Sequence, residues 1–140
     1  MAYWLMKSEP DAWSWEQQVA KGAAGEAWSG VRNHQAKLNL MRMKKGERAF
    51  FYHSNEGKAV VGTVTIAREH YPDPTAAPGT PWVCVDVVAK TAFKSPVTLD
   101  AIRREPALAD MVLVNNTRLS VQPVTDEEWA IVCRMGGVKP

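Results

Sequence analysis

The chain has only two cysteines and three histidines among its 140 residues. Cys84 lies in a Val-rich segment and Cys133 in a segment typical of a helix, so neither has the spacing of a zinc site or a redox pair. A chain of this length can bury an adequate core without cross-links. The scarcity of thiols therefore excludes a disulfide-stabilised scaffold. We predict two buried free thiols, no metal site and no cofactor.

Long apolar runs, repeats and low-complexity tracts are also missing from the sequence. No run approaches the length that crosses a membrane, and residues 1–6 lack the basic leader and apolar stretch of a signal peptide. We therefore expect a cytoplasmic protein with no membrane partner. No linker separates two halves, which predicts one domain over residues 1–140. We also expect a monomer.

Net charge is small, at +2, but it is unevenly distributed. Six basic residues lie between positions 32 and 48 against Glu47 alone, which gives that segment a charge of +5 and leaves −3 on the rest of the chain. A local positive field of this kind is either a solvated helix face or a phosphate-binding surface. The candidate phosphate-binding residues are Arg32, Lys37, Arg42, Lys44 and Lys45.

β-Branched and aromatic residues predict five strands, over residues 3–6, 48–53, 59–68, 82–90 and 119–123. Gly62 falls inside the third of these and indicates a bulge or a bend. Between the third and fourth strands, four prolines and Gly79 disfavour both helix and strand over residues 71–81. We predict a surface loop there.

Helices are predicted between these strands. Ser14 with Gln17 and Thr125 with Glu128 have the spacing of capping boxes, and Gly136 and Gly137 can end the last helix. Two further helices are predicted over residues 33–45 and 99–104. Because strands and helices do not alternate regularly, the pattern favours an α+β fold with a mixed sheet over a doubly wound one.

Aromatic rings stand beside polar side chains in three segments, YWLMKSEP (3–10), WSGVRNHQA (28–36) and FFYHSN (50–55). Such a mixture is costly to bury, because every polar group would need a partner in the core. The pattern predicts a surface pocket in which rings enclose a ligand and polar groups contact its edges. Trp28 and Tyr52 are candidate walls, and Trp4 fits either the pocket or the core. The remaining tryptophans are predicted to pack in the core: Trp13, Trp15, Trp82 and Trp129.

These three segments, with YPDP at 71–74 and RLSVQP at 118–123, resemble the EVE domain, whose pattern runs YWLMKSEP, WxGVRN, FFYHS, YPDP and RLSVQP. The resemblance extends from residue 3 to residue 124. It implies a PUA-like pseudo-β-barrel of about five to six strands with flanking helices, similar to the YTH readers of methylated adenosine. It also implies an aromatic pocket for a modified base, particularly 5-methylcytosine or another modified cytosine, with DNA a more expected partner than RNA.

By that resemblance, the matching segments surround the pocket. Asn33 can instead cap a helix, Glu9 can satisfy backbone donors, and His53 and Ser54 can close a strand. The family commonly has Tyr where His34 stands and Arg where Lys37 stands, so a smaller ring at position 34 would alter stacking. The full set of candidate pocket residues is Trp4, Lys7, Ser8, Glu9, Trp28, Val31, Asn33, His34, Tyr52, His53, Ser54, Arg118, Leu119, Ser120 and Gln122.

Three classes of function are compatible with these residues. An enzyme acting on nucleic acid would use His53, Glu9 or His34 in proton transfer. An adaptor would bind a peptide or small ligand, with the Pro-rich loop as a contact. No metal-ligand spacing, Gly-rich phosphate loop or nucleophile motif supports the enzyme. We therefore expect a non-enzymatic module that captures a flipped, modified base, while the basic helix contacts phosphates.

Overall fold

The computed structural model describes residues 1–140 and contains six strands and five helices. None of the helices is both long and apolar enough to cross a membrane. The strands are β1 (Tyr3–Ser8), β2 (Glu26–Ala27), β3 (Arg48–His53), β4 (Ala59–Pro72), β5 (Val83–Thr98) and β6 (Val121–Val124). The helices are α1 (Trp15–Ala20), α2 (His34–Arg42), α3 (Leu99–Arg104), α4 (Val112–Asn115) and α5 (Asp126–Met135).

All six strands form one mixed sheet in the order β2-β5-β4-β3-β1-β6. β1 and β3 are parallel, from Tyr3 opposite Arg48 to Ser8 opposite His53, and every other pair is antiparallel. The predicted α+β class is therefore confirmed. Because the carboxyl ends of parallel strands lie at the same edge of a sheet, the polar residues that end β1 and β3 are neighbours.

The sheet carries one core on each face. The first packs against α2 and includes Met6, Phe51 and Leu40, while the second packs against the helices of the C-terminal half. In the second core Trp129 stacks on Phe50, with ring centroids 4.0 Å apart. The predicted core positions of Trp15 and Trp129 are confirmed, as is the burial of both cysteines.

Gly62 lies at the bulge that the sequence predicts, where the pairing of β4 with β5 shifts register between Val60 and Gly62. A Cβ atom at this position would come within 2.5 Å of the Trp15 indole. Only glycine therefore lets the first residue of α1 lie directly against the sheet. This close approach fixes α1, and with it the segment that leads into α1.

The predicted helix starts are confirmed, because Ser14 and Thr125 form complete capping boxes and Asn33 caps α2. α2 ends at Arg42, three residues earlier than expected. Met43 is extended, and the Lys44 amide donates to the Glu47 carboxylate at 2.8 Å. The buried Glu47 carboxylate thus accepts from the Lys44 amide, which would otherwise donate within a further turn of α2.

Several strand ends differ from the prediction. β1 continues to Ser8, β5 continues to Thr98, and β6 begins at Val121. β4 runs on to Pro72, so the predicted loop begins two residues later, because Tyr71 and Pro72 pair with β5. A proline is tolerated there because it ends the strand. β2 was not predicted, since two residues are too few to show alternation.

Candidate functional site

Two cavities open beside the end of β1, and Lys7 lines both of them. The smaller one, which we name the tryptophan cavity, has a volume of about 350 Å³. This is the lower end of the size range of small-molecule sites. It is lined by Lys7, Ser8, Glu9, Ala12, Trp13, Glu26, Ala27, Trp28 and Ser29.

One wall of the tryptophan cavity is the half-buried indole of Trp13. Its Nε1 donates to the Gln18 side chain at 2.9 Å, and Gln18, fully buried, donates to the Val87 carbonyl at 3.1 Å. The Ser8 hydroxyl donates to the Trp13 carbonyl at 2.5 Å. The ring is therefore positioned by β5 through Gln18 and by β1 through Ser8.

The second wall is Trp28, which is 6% exposed. Its amide donates to the Val85 carbonyl at 2.7 Å, which continues the pairing of β2 with β5. Its indole meets Phe51 edge to face, with centroids 5.4 Å apart. Most of the ring therefore packs in the first core, and only one margin lines the cavity.

A buried carboxylate, Asp73, holds the loop that follows Trp28. It accepts hydrogen bonds from the Gly30 amide at 2.8 Å, from the Arg32 guanidinium at 3.0 Å, and from the amide and hydroxyl of Thr75, each at 2.7 Å. Burial alone would raise the pKa of Asp73, but these bonds outweigh burial and lower the pKa to about 2. Asp73 thus joins the loop after Trp28 to the loop after β4.

The larger cavity, which we name the basic cavity, has a volume of about 960 Å³. Lys7 extends into it, donates from Nζ to the Thr117 carbonyl at 2.7 Å, and lies 5.9 Å from the centre of the Tyr52 ring. Burial lowers the pKa of Lys7 and raises the pKa of Tyr52. The cavity is lined by Lys7, Tyr52, Ser54, Asn55, Gly57, Lys58, Thr98, Leu99, Asp100, Arg103, Arg104, Leu113 and Thr117.

Six of the predicted pocket residues line these cavities. Four of them meet in the tryptophan cavity: Lys7, Ser8, Glu9 and Trp28. Tyr52 and Ser54 join Lys7 in the basic cavity. The other nine line neither one: Trp4, Val31, Asn33, His34, His53, Arg118, Leu119, Ser120 and Gln122.

Four of those nine are part of the folded interior. Trp4 is 5% exposed, and its Nε1 donates to Glu47 at 3.0 Å, so the structure has it in the core. Val31 and Leu119 are buried in the same core. Gln122 is fully buried, and its amide donates to the Leu119 carbonyl at 2.8 Å, which shapes the turn before β6.

The other five have local contacts or lie at the surface. Asn33 accepts from the Ala36 amide at 2.9 Å as an N-cap, and His53 accepts on Nε2 from the Trp15 amide at 3.0 Å. His34 is exposed, with its ring 4.8 Å from that of Trp82. Arg118 is exposed and Ser120 is half-buried.

The predicted phosphate-binding residues divide into two groups. Arg42, Lys44 and Lys45 are exposed at the end of α2 and just after it, and Lys37 is half-buried on α2. Arg32 is different, because its guanidinium pairs with Asp73 and donates to Thr75 at 3.2 Å. This ion pair gives Arg32 a structural role that the sequence did not predict.

Sequence reasoning missed Trp13 and Asp73 as site residues. Trp13 and Trp82 were predicted to be core, but both are half-buried. Trp13 precedes the N-cap Ser14 and so lies outside the amphipathic pattern of α1. Its position one residue before a capping box was the available signal. Nothing in the sequence indicated that Asp73 would meet the Gly30 amide.

No group of three or more His, Cys, Asp or Glu side chains is arranged to hold a metal ion. The side chains that line the tryptophan cavity include two indoles, two hydroxyls and two carboxylates. Aromatic and polar side chains thus line one concave site, whose volume is in the range of sites for small ligands.

A family model described as the EVE domain matches residues 2–135, and the chain belongs to that family. It is 34% identical to human thymocyte nuclear protein 1 over a 170-residue alignment, which covers 99% of this chain and 76% of the human protein. An NMR structure of a protein from Rhodopseudomonas palustris is 65% identical, with a TM-score of 0.92, covering 98% of this chain and 94% of that one.

Two solved complexes are also similar in structure. The human THYN1 protein in complex with 5-methylcytosine-containing DNA has a TM-score of 0.90 at 33% identity, with full coverage of both chains. The YTH domain of Zygosaccharomyces rouxii MRB1, in complex with N6-methyladenosine RNA, has a TM-score of 0.57 at 16% identity, which shows a shared fold alone. The expected PUA-like fold and its likeness to YTH domains are confirmed.

Proposed function

We propose that this protein is a non-enzymatic module that binds a modified base, with modified cytosine in DNA as the preferred ligand, in the tryptophan cavity. The observation that carries the proposal is the pair of indoles, Trp13 and Trp28, beside hydrogen-bonding groups in one concave site. The similarity over its whole length to the human protein that was solved with 5-methylcytosine DNA supports it.

The cavity lining suits a flipped cytosine. The half-buried Trp13 ring offers a stacking surface and the margin of Trp28 bounds the site, and stacking on an aromatic ring contributes about 1 to 3 kcal/mol per base. The carboxylates of Glu9 and Glu26 can accept from the exocyclic amine of cytosine, a pairing that proteins use to recognise this base. A ring methyl would find apolar contact on Ala12 and Ala27.

The first test compares single-stranded oligonucleotides that differ in one base, 5-methylcytosine or cytosine, by quenching of tryptophan fluorescence. We expect the methylated strand to bind about tenfold tighter, because one methyl group in an apolar contact contributes at least about 1 kcal/mol. RNA strands with the same two bases serve as a further arm, and tighter binding there would assign the reading to RNA. Equal affinity for every methylated and unmethylated strand would reject base reading.

Catalysis is the alternative that a second experiment tests. His53 is the last residue of β3, but its Nε2 accepts a hydrogen bond from the Trp15 amide, and the residue lines neither cavity. Burial lowers its pKa, although the charge of Glu16 opposes this. We therefore expect mass spectrometry to recover methylated and plain oligonucleotides unchanged after incubation. A product that accumulates with the parent protein, and not with His53→Ala, would show that the protein is an enzyme.

A further inference from the structure

The basic cavity carries a charge that the protein itself does not neutralise. Lys7, Lys58, Arg103 and Arg104 line it against the single carboxylate of Asp100, a net charge of +3. The ion pairs of the chain are Lys21 with Glu26 and Arg32 with Asp73, so none of these four cations belongs to one. Cations gathered around one concave surface repel each other and concentrate anions there.

Neutral donors accompany the cations. The hydroxyls of Ser54, Thr98 and Thr117 and the amide of Asn55 line the same cavity. Arginine forks and hydroxyl groups are the side chains that most often contact phosphate oxygens. A lining of cations and neutral donors suits a phosphate group. A carboxylate ligand would need more apolar residues around the rest of its structure than this cavity has.

The turn between β3 and β4 forms part of this cavity in an unusual backbone conformation. Asn55 has φ of 68° and Lys58 has φ of 38°, and these are the only residues other than glycine with positive φ. Asparagine adopts this region readily, whereas lysine does so rarely. The turn that carries these two residues forms one side of the cavity.

The two cavities are adjacent, because Lys7 lines both. A base held in the tryptophan cavity and a phosphate held in the basic cavity would therefore share Lys7 as a neighbour. The basic cavity, at about 960 Å³, is far larger than the base site and has room for more than one phosphate group.

We propose that the basic cavity binds the backbone phosphates next to the captured base, through Lys58, Arg103 and Arg104. This inference rests on the proposed function, and it assigns the strand's phosphates to this cavity in addition to any contact made by the basic face of α2. Phosphate contacts here position the strand, while the tryptophan cavity selects the base.

The test uses the double variant Arg103→Gln/Arg104→Gln, whose parent side chains are both exposed. The charge-matched control is Lys90→Gln/Lys139→Gln, two exposed lysines that line neither cavity. Three probes are titrated: a single-stranded DNA carrying one 5-methylcytosine, the free nucleoside 5-methyl-2′-deoxycytidine, and inorganic phosphate. Thermal melting of each variant checks that the fold is retained, and the two single arginine variants replace the double one if it is not.

We expect the arginine double variant to bind the DNA strand at least about tenfold more weakly at low salt, because two charged donors to phosphate are lost. Its logarithmic salt slope should be shallower by about 1.4, at roughly 0.7 for each phosphate contact on a single strand. Nucleoside affinity should be unchanged, and the lysine control should match the parent in all three titrations.

Parental affinity and salt slope in the arginine variant would overturn the inference. So would arginine-dependent binding of inorganic phosphate without any effect on the DNA strand, which would assign the cavity to a free anion. Failure of the proposed function looks different: the parent would then bind no nucleoside and would not distinguish the methylated strand. An arginine-dependent salt slope in that case would still support phosphate binding in this cavity.

Discussion

Replacing Trp13 by Ala is expected to weaken binding of a 5-methylcytosine oligonucleotide roughly 5- to 150-fold, since stacking of one base contributes about 1 to 3 kcal/mol. The Trp13 indole is half-buried and lines the tryptophan cavity, so its removal opens one wall of the site. Gln18 loses the partner of its Oε1 atom but keeps its bond to Val87. Fluorescence anisotropy of a labelled oligonucleotide measures the change.

Trp82→Ala is the matched control for this variant. Trp82 is also a half-buried tryptophan, but it packs beside His34 and Arg32 and lines neither cavity. We expect it to bind the methylated strand as the parent does. If Trp13→Ala and Trp82→Ala weaken binding equally, the tryptophan cavity is not the base site.

Trp28→Ala is a less informative change, although Trp28 lies in the same cavity. Its ring is 6% exposed and packs edge to face on Phe51. Removing a buried tryptophan costs about 3 to 5 kcal/mol of stability, so lost binding would not separate the site from the fold. Trp28→Phe keeps a ring in the core and is the better companion to Trp13→Ala.

Replacing Asp73 by Asn is expected to lower the free energy of unfolding at pH 7 by about 2 to 3 kcal/mol, because a buried carboxylate that accepts several hydrogen bonds is lost. The Arg32 guanidinium and the Gly30 and Thr75 amides all donate to this carboxylate. The loop after Trp28 would loosen with them, so affinity for the methylated strand should fall as well. Urea unfolding at pH 7 measures the first effect.

The pH dependence of this difference identifies its cause. The pKa of Asp73 in the folded protein is about 2, below the value of about 3.9 in an unfolded chain. A group with a lowered pKa stabilises the fold fully above its unfolded value, and this contribution is lost as pH falls through the folded value. Parent and Asp73→Asn should therefore converge between about pH 4 and pH 2. A difference in unfolding free energy that stays constant over this window would show that the carboxylate charge is not responsible. The control is Asp110→Asn, because Asp110 is exposed.

Much of the fold could be predicted from local patterns. β3 has the predicted bounds, and the capping boxes mark the first and last α-helices correctly. The extensions of β4 and β5 could not be predicted, because they arise where the two strands pair over a long ribbon that overrides the composition of each. Pairing between distant segments is not visible in either segment alone.

The site was predicted less completely than the fold, and the tryptophans show why. Trp4 and Met6 lie two residues apart on β1, so both side chains face the first core. The polar residues Lys7 and Ser8 follow them at the end of the strand. The partner that satisfies the Trp4 indole, Glu47, lies 43 residues away in the chain. Lys7, Ser8, Glu9 and Trp28 were predicted because each stands in a segment that mixes aromatic with polar residues and resembles the family pattern.

The parallel pairing of β1 with β3 has a consequence for the order of folding. β3, β4 and β5 are successive antiparallel strands, so they can form through short loop closures. β1 must instead find β3, which begins at Arg48, and β6, which ends at Val124. Contacts of such long range form slowly because a large loop must be closed first. The end of β1 lines both cavities, so neither cavity is complete until β1 has paired with β3.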